Sequence, residues 1–349
     1  MENKLTGKAF TMNVLNGIAI GAVVVLIPGA LLSEIVKALS PSMPFLATIG
    51  TALSMSNSMM GLVCGILVGL NFKFNPIQAA SLGLATEFAS GAVKVNKGVI
   101  TIAGTGDIIN MMIVSAIGAG LILLVGNGLK AYTILVIPPL LLVVVGYIGY
   151  AILPYVAKIT EWIGLGVAQL LNLQPLVMSI LLAVIFGVLI ISPITTVGIA
   201  LAISLAGLGS GAANVGICAT GFGFAILGWS VNSHGTSLAH FIGSPKISMP
   251  VVVKNPKTLI PIICSAACCG VVAYIFNVQG TPMSAGFGFS GLVGPINNLN
   301  LAKGGWSLAN ILITILVYAV APVVFGFIFK FLFVDKLHLV STDDYRLNV

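Results

Sequence analysis

The chain has 349 residues, of which 58% are hydrophobic and 7% charged, with a formal net charge of +7. A water-soluble domain carries roughly 25% charged residues, so this chain lacks the polar surface to fold in water, and the solvent it suits is lipid. The positive charge does not argue for nucleic acid, because the lysines stand singly between apolar runs and Arg346 is the one arginine, a distribution that membrane topology explains.

The opening M-E-N-K-L-T-G-K-A-F-T-M-N runs straight into apolar sequence without a small-residue cleavage site, so the segment 9–33 is expected to remain as a transmembrane helix. A bilayer core of about 30 Å takes about 20 apolar helical residues. Segments 44–70, 98–126, 132–156, 175–208, 211–230, 257–277 and 305–333 also meet this, and Pro193 marks a break or a further span within 175–208. The expected fold is an all-α polytopic membrane protein with about eight to ten spans. Two stretches, 76–93 and 234–253, are apolar but poor helices. Backbone that leaves the helix at membrane depth must be buried in protein or line a cavity. Both therefore read as re-entrant hairpins that return to the side they left.

With the N-terminus inside, Lys4, Lys8, Lys73, Lys94, Lys97, Lys158, Lys246, Lys254, Lys257, Lys336 and Arg346 fall on the inner side, with Lys330 near it, and Lys37, Lys130 and Lys303 fall outside. That bias predicts cytoplasmic termini. An echo also runs through the chain: Glu87-Phe88-Ala89-Ser90-Gly91 leads to Val93-Lys94-Val95-Asn96-Lys97, and His240-Phe241-Ile242-Gly243-Ser244 leads to Val253-Lys254-Asn255-Pro256-Lys257. It suggests repeat halves 1–165 and 166–349, and repeats that meet at a midplane site are a common transporter plan.

An ionisable group within a membrane segment is costly and is a functional candidate by default. Glu87, in L-A-T-E-F-A-S-G, has no basic residue closer than Lys94; it reads either as an exposed loop carboxylate or as an acceptor for solute hydroxyls. His234 and His240 flank Gly235-Thr236-Ser237. Neutral imidazole both donates and accepts, which suits a polyol, although a lone histidine is often only a structural bond. His240 is favoured because it echoes Glu87. Asp107, in A-G-T-G-D-I-I-N, reads either as a helix cap or, with Asn110, as part of a broken helix along a pathway. Ser290, in G-F-G-F-S-G-L-V-G-P-I-N-N, and Asn57 and Asn214, each among small residues, complete the candidates. All ten are substrate-binding candidates; none is a catalytic or metal-ligating one.

The cysteines Cys64, Cys218, Cys264, Cys268 and Cys269 lie in apolar segments without a CxxC pair or a Cys/His metal spacing; they read as small apolar fillers. No G-x-S-x-G, H-E-x-x-H or G-x-x-x-x-G-K-[ST] occurs, so neither a cofactor nor covalent chemistry by this chain alone is expected.

The run G-T-S-L-A-H-F-I-G-S-P-K-I-S-M-P-V-V-V-K-N-P-K-T-L-I-P-I-I, followed by S-A-G-F-G-F-S-G-L-V-G-P-I, resembles the stand-alone (type 2) branch of the membrane IIC component family of the bacterial sugar phosphotransferase system. That branch includes membrane proteins described as regulators of a clostridial toxin. The resemblance implies a single IIC-type transmembrane domain over 1–349: a sugar permease of the bacterial cytoplasmic membrane, a homodimer, with a separate IIB protein phosphorylating the emerging sugar. It also implies that a carboxylate and a histidine hold the sugar, which by type are Glu87 and His240. No IIB or IIA domain is expected in this sequence, so phosphotransfer is expected to need other chains or not to occur. The alternatives are a non-phosphorylating carrier and a membrane sensor that signals through its lysine-bearing loops or its short C-terminal tail.

Overall fold

The structure, a computed structural model, describes residues 5–96, 98–125 and 128–347; Lys4 and Lys97 of the charge count lie outside them. Among the described residues, six helices are long and apolar enough to cross a membrane: Gly7–Leu39 (α1), Ile108–Val125, Thr133–Asn172, Gly207–Leu227, Pro256–Ile275 and Leu308–Lys336. Leu46–Ser58 (α2) and Met60–Asn71 (α3), bent by 50° at Met59, make a seventh if they count as one span. The chain is thus an all-α multi-pass membrane protein. Among the described residues the strands are the antiparallel pair Val93–Asn96 (β1) and Val99–Ile102 (β2), with Val93 opposite Ile102.

The spans are fewer than the expected eight because the 44–70 run is bent at Met59 and the 175–208 run is divided, and the 98–126 run, though still a span, is shortened. The 98–126 run gives up its start to β2 and to a turn at Gly104 and Gly106, whose φ values of 80° and 70° favour glycine. The 175–208 run divides into Pro175–Leu189 and Thr196–Ala202, because Pro193 between them has no N–H to continue a helix. The stretch 76–93 forms the 14-residue helix Pro76–Ala89 (α4), opened by a capping box of Asn75 and Gln78, and β1 follows it. The stretch 234–253 folds as two short helices joined by a turn.

By internal contacts the chain divides into two compact units, Met1–Gly29 with Ile35–Lys158, and Ala30–Glu34 with Ile159–Val349. Unit 1 is built on a glycine stripe. Gly61, Gly65 and Gly69 recur every four residues on α3, and a Cβ on each would lie 2.8, 2.7 and 2.8 Å from the Cα of Glu87, Gly83 and Ala79 on α4. Residues four apart share a helix face, so the glycine face of α3 meets Glu87, Gly83 and Ala79 of α4 antiparallel and in register. In lipid, such close backbone approach replaces the hydrophobic effect as the source of helix association. Ile108–Val125 (α5) packs on the same α4, and Thr133–Asn172 (α6) carries the chain onward.

Unit 2 is organised around the buried helix Gly207–Leu227. Continuing the numbering, its members are Pro175–Leu189 (α7), Thr196–Ala202 (α8), Gly207–Leu227 (α9), His234–Ile242 (α10), Met249–Lys254 (α11), Pro256–Ile275 (α12), Val293–Leu301 (α13) and Leu308–Lys336 (α14). Gly216 of α9 lies directly against the Ala183 carbonyl of α7, and Gly221 of α9 against the main chain of His240 and Phe241 in α10. Any side chain at either position would drive these helices apart.

Candidate functional site

In unit 1 the glycine stripe fixes where Glu87 meets α3. Because Gly61 lets the backbones touch, the Glu87 carboxylate reaches the first turn of α3, where Oε2 accepts from the Leu62 N–H at 2.9 Å. A helix N-terminus offers free amides and positive potential, so one oxygen of this buried acid has a built-in partner. The other oxygen, Oε1, is buried with no partner, as is Oδ1 of Asn57, four residues before Gly61 on the far side of the bend at Met59. Glu87 is therefore not the exposed loop carboxylate that one reading allowed.

Asp107 takes its alternative role as a cap. Its Oδ1 accepts from the Asn110 N–H at 2.9 Å, and its own N–H donates to the Ser90 carbonyl at 2.8 Å. Asn110 is fully buried and uses Nδ2 to hold the Ala89 carbonyl at 2.7 Å and the Gly149 carbonyl at 3.0 Å, joining α4, α5 and α6. Its Oδ1 has no partner.

In unit 2, His234 is exposed at the start of α10 and stacks on Trp229 at 4.9 Å between centroids. Thr236 sits in the same first turn, its N–H donating to the Ser233 cap at 3.1 Å. Ser237 is buried, and its hydroxyl has no partner. His240 is buried with both ring nitrogens engaged, Nδ1 with the Ser237 carbonyl at 3.1 Å and Nε2 with the Ser248 hydroxyl at 2.7 Å. Donation from Nδ1 to the carbonyl leaves Nε2 to accept from Ser248, so this ring fastens α10 to the turn Pro245–Ser248.

Asn214 supports the glycine-rich loop: its Oδ1 accepts from the N–H groups of Gly286 at 3.3 Å and Gly288 at 3.0 Å, leaving Nδ2 unpartnered. Ser290 is at the edge of burial just before Gly291 and Leu292, whose φ values are 60° and 56°. Phe289 of this loop joins Phe222 of α9 and Phe241 of α10 in an aromatic trio with centroids 4.3–6.0 Å apart.

The ten candidates thus fall into two groups, Asn57, Glu87, Asp107 and Asn110 in unit 1 and the other six in unit 2. Five of them, Asn57, Glu87, Asn110, Asn214 and Ser237, carry a buried polar atom without a partner. Such atoms are rare and costly, so these five have hydrogen-bonding capacity left for a ligand. An open cavity of about 550 Å³, lined by Val334, Asp335, His338, Leu339, Val340, Ser341, Thr342 and Asp344, includes none of the ten.

Two residues were read differently or passed over in the sequence. Lys246, counted there as a loop lysine, is buried and donates from Nζ to the Ser192 carbonyl at 2.6 Å and the Ile194 carbonyl at 2.8 Å. Its signal was its setting, S-P-K-I-S, with no carboxylate nearby in the sequence. Tyr345, in the tail, is also buried. Its hydroxyl donates to the Thr258 carbonyl at 3.0 Å, Asn232 Nδ2 donates to its carbonyl at 2.9 Å, and its ring packs edge-on to Phe224. Beside it, the Ser341 N–H holds the Asp344 carboxyl below the usual range against the opposing effect of burial, and Asn255, the Ser341 hydroxyl and Lys254 add to the lowering. One hydrophobic tyrosine with no periodic neighbours gives no signal of docking in a sequence.

The protein family described as "Phosphotransferase system, EIIC" matches residues 12–347. No curated protein and no solved structure matches the chain.

Proposed function

The chain belongs to the EIIC family of the phosphotransferase system, and from that premise we propose that the bend at Met59, with Glu87 and Asn57, binds the hydroxyl groups of a sugar. At the family level it is a multi-pass membrane translocation subunit that works with separate phosphotransferase components on a sugar. The observation that carries the proposal is the division of labour within one carboxylate: Oε2 is held by the Leu62 N–H while the buried Oε1 is free. Oε1 keeps its acceptor capacity for a sugar hydroxyl when the bend opens to solute, and charge-assisted hydrogen bonds are the stronger kind. In this reading His240 is a positioning residue, since contact with a sugar would cost one of its two present bonds. Asn110 and Asp107 keep the α4–α5 corner in place.

The protein acts as a homodimer in the bacterial cytoplasmic membrane with its termini inside, delivering sugar to a separate IIB protein. Uptake of a panel of radiolabelled sugars into proteoliposomes, with and without phosphoenolpyruvate and the soluble phosphotransferase components, tests this. Accumulation of sugar phosphate only with those components supports the phosphotransferase reading. Flux without them makes the protein a carrier, and sugar binding without flux makes it a sensor. The fastening of the tail through Tyr345 weighs against a sensor that signals through its tail, and leaves one that signals through its lysine-bearing loops to the flux measurement.

A further inference from the structure

Lys246 is a buried ionisable group that the sugar reading leaves unused. It lies on the turn between α10 and α11, a turn closed on one side by the His240–Ser248 bond and on the other by the Lys246 N–H donating to Ser244 Oγ at 3.3 Å. Its backbone position is thus set before its side chain is placed. The two carbonyls that receive Nζ belong to Ser192 and Ile194, on either side of Pro193 in the break between α7 and α8. No carboxylate pairs with it: the ion pair among the described residues is Arg346–Asp343. A buried ammonium without a counter-ion is costly, yet a lysine has enough length to reach an interface instead. Unwound main-chain carbonyls are, in turn, the groups with which membrane carriers hold cations.

We propose that the carbonyls of Ser192 and Ile194 form an alkylammonium site, which Lys246 fills from within the chain, so that Lys246 is a positioning residue fastening the broken segment to the α10–α11 hairpin. The hairpin and the break then move as one body, although more than 50 residues separate them in the chain. The inference is independent of the sugar assignment, and its test reads folding and exchange.

The full-length protein purified in detergent is unfolded by heat, with a thiol-reactive fluorophore reporting exposure of the buried Cys64, Cys218 and Cys269. Lys246→Ala removes the equivalent of one n-propylammonium ion and is expected to lower the midpoint by about 5 °C. Adding n-propylammonium chloride restores at least half of that loss and saturates; choline chloride at equal concentration does not, and wild type does not respond. Lys246→Met, which fills the same space without a donor, is destabilised and is not restored. In hydrogen–deuterium exchange, Lys246→Met raises uptake in both 189–196 and 240–249. A Met variant as stable and protected as wild type, or an Ala variant indifferent to the amine, overturns the proposal. If the Ala variant does not fold, the Met variant decides: increased exchange in only one of the two segments also overturns it.

Discussion

Replacing Glu87 with glutamine separates the two roles assigned to its carboxylate. The glutamine carbonyl can still accept from the Leu62 N–H that Oε2 holds at 2.9 Å, while its amide group puts a donor where the free Oε1 was. On folding, the loss of charge at a helix N-terminus costs about 0.3–1 kcal/mol, and the relief of a buried charge acts in the opposite direction. The net change in stability is expected within about 1 kcal/mol. On sugar binding, the loss of one charge-assisted acceptor costs about 1.5–3 kcal/mol, a fall in affinity of about ten- to a hundred-fold. The measurement is equilibrium binding of the sugar identified in the uptake panel, by scintillation proximity on purified wild-type and Glu87→Gln protein, beside a thermal midpoint for each. Wild-type affinity in a variant of unchanged midpoint would refute the assignment. Loss of binding together with a collapsed midpoint would refute the claim that the Leu62 bond survives the exchange.

Gly216→Ala should prevent correct folding, because its Cβ would enter the Ala183 carbonyl and backbone cannot yield as a side chain does; a cost of about 3 kcal/mol or more will show as loss of a monodisperse peak. Gly166→Ala, which has nothing within 4 Å of the new Cβ, is the matched control and should be neutral or slightly stabilising. Tyr345→Phe should cost about 1 kcal/mol through the bond to Thr258 and Tyr345→Ala about 3–5 kcal/mol, with limited proteolysis of the tail reporting both. The lowered Asp344 carboxyl contributes docking strength that is complete above the free carboxyl value. That strength is lost as the pH falls below about 4, so protease protection of the tail should fall there in wild type and lose this dependence in Asp344→Asn.

The membrane class and the polar interruptions were legible because each depends on a local excess or deficit of apolar residues. The glycines of α3 were in view as well, but their partners Ala79, Gly83 and Glu87 were not, since register between two helices is a property of the pair. The span count fell short where Pro193 divided one apolar run and the bend at Met59 broke another, while the Gly104–Gly106 turn only shortened a third; average hydropathy hid all three. Asp107 followed the capping pattern that its spacing to Asn110 allowed. Lys246 was misplaced for a general reason: a lysine between prolines looks the same on a surface loop and on a buried turn, and only the carbonyls 52 and 54 residues away distinguish them.

The central helix of unit 2 has a consequence for how the protein is made. Helix α9 has a mean hydropathy of 1.4 over its best window, while the other five long helices range from 2.1 to 2.6. Glycines, Asn214 and hydroxyl side chains give it a surface suited to protein neighbours and poorly suited to lipid. On leaving the ribosome it is the long segment with the weakest drive to partition into the bilayer. Its retention falls to α7, already made, and then to α12 and α14, which emerge later, so the centre of unit 2 is secured only when its periphery arrives.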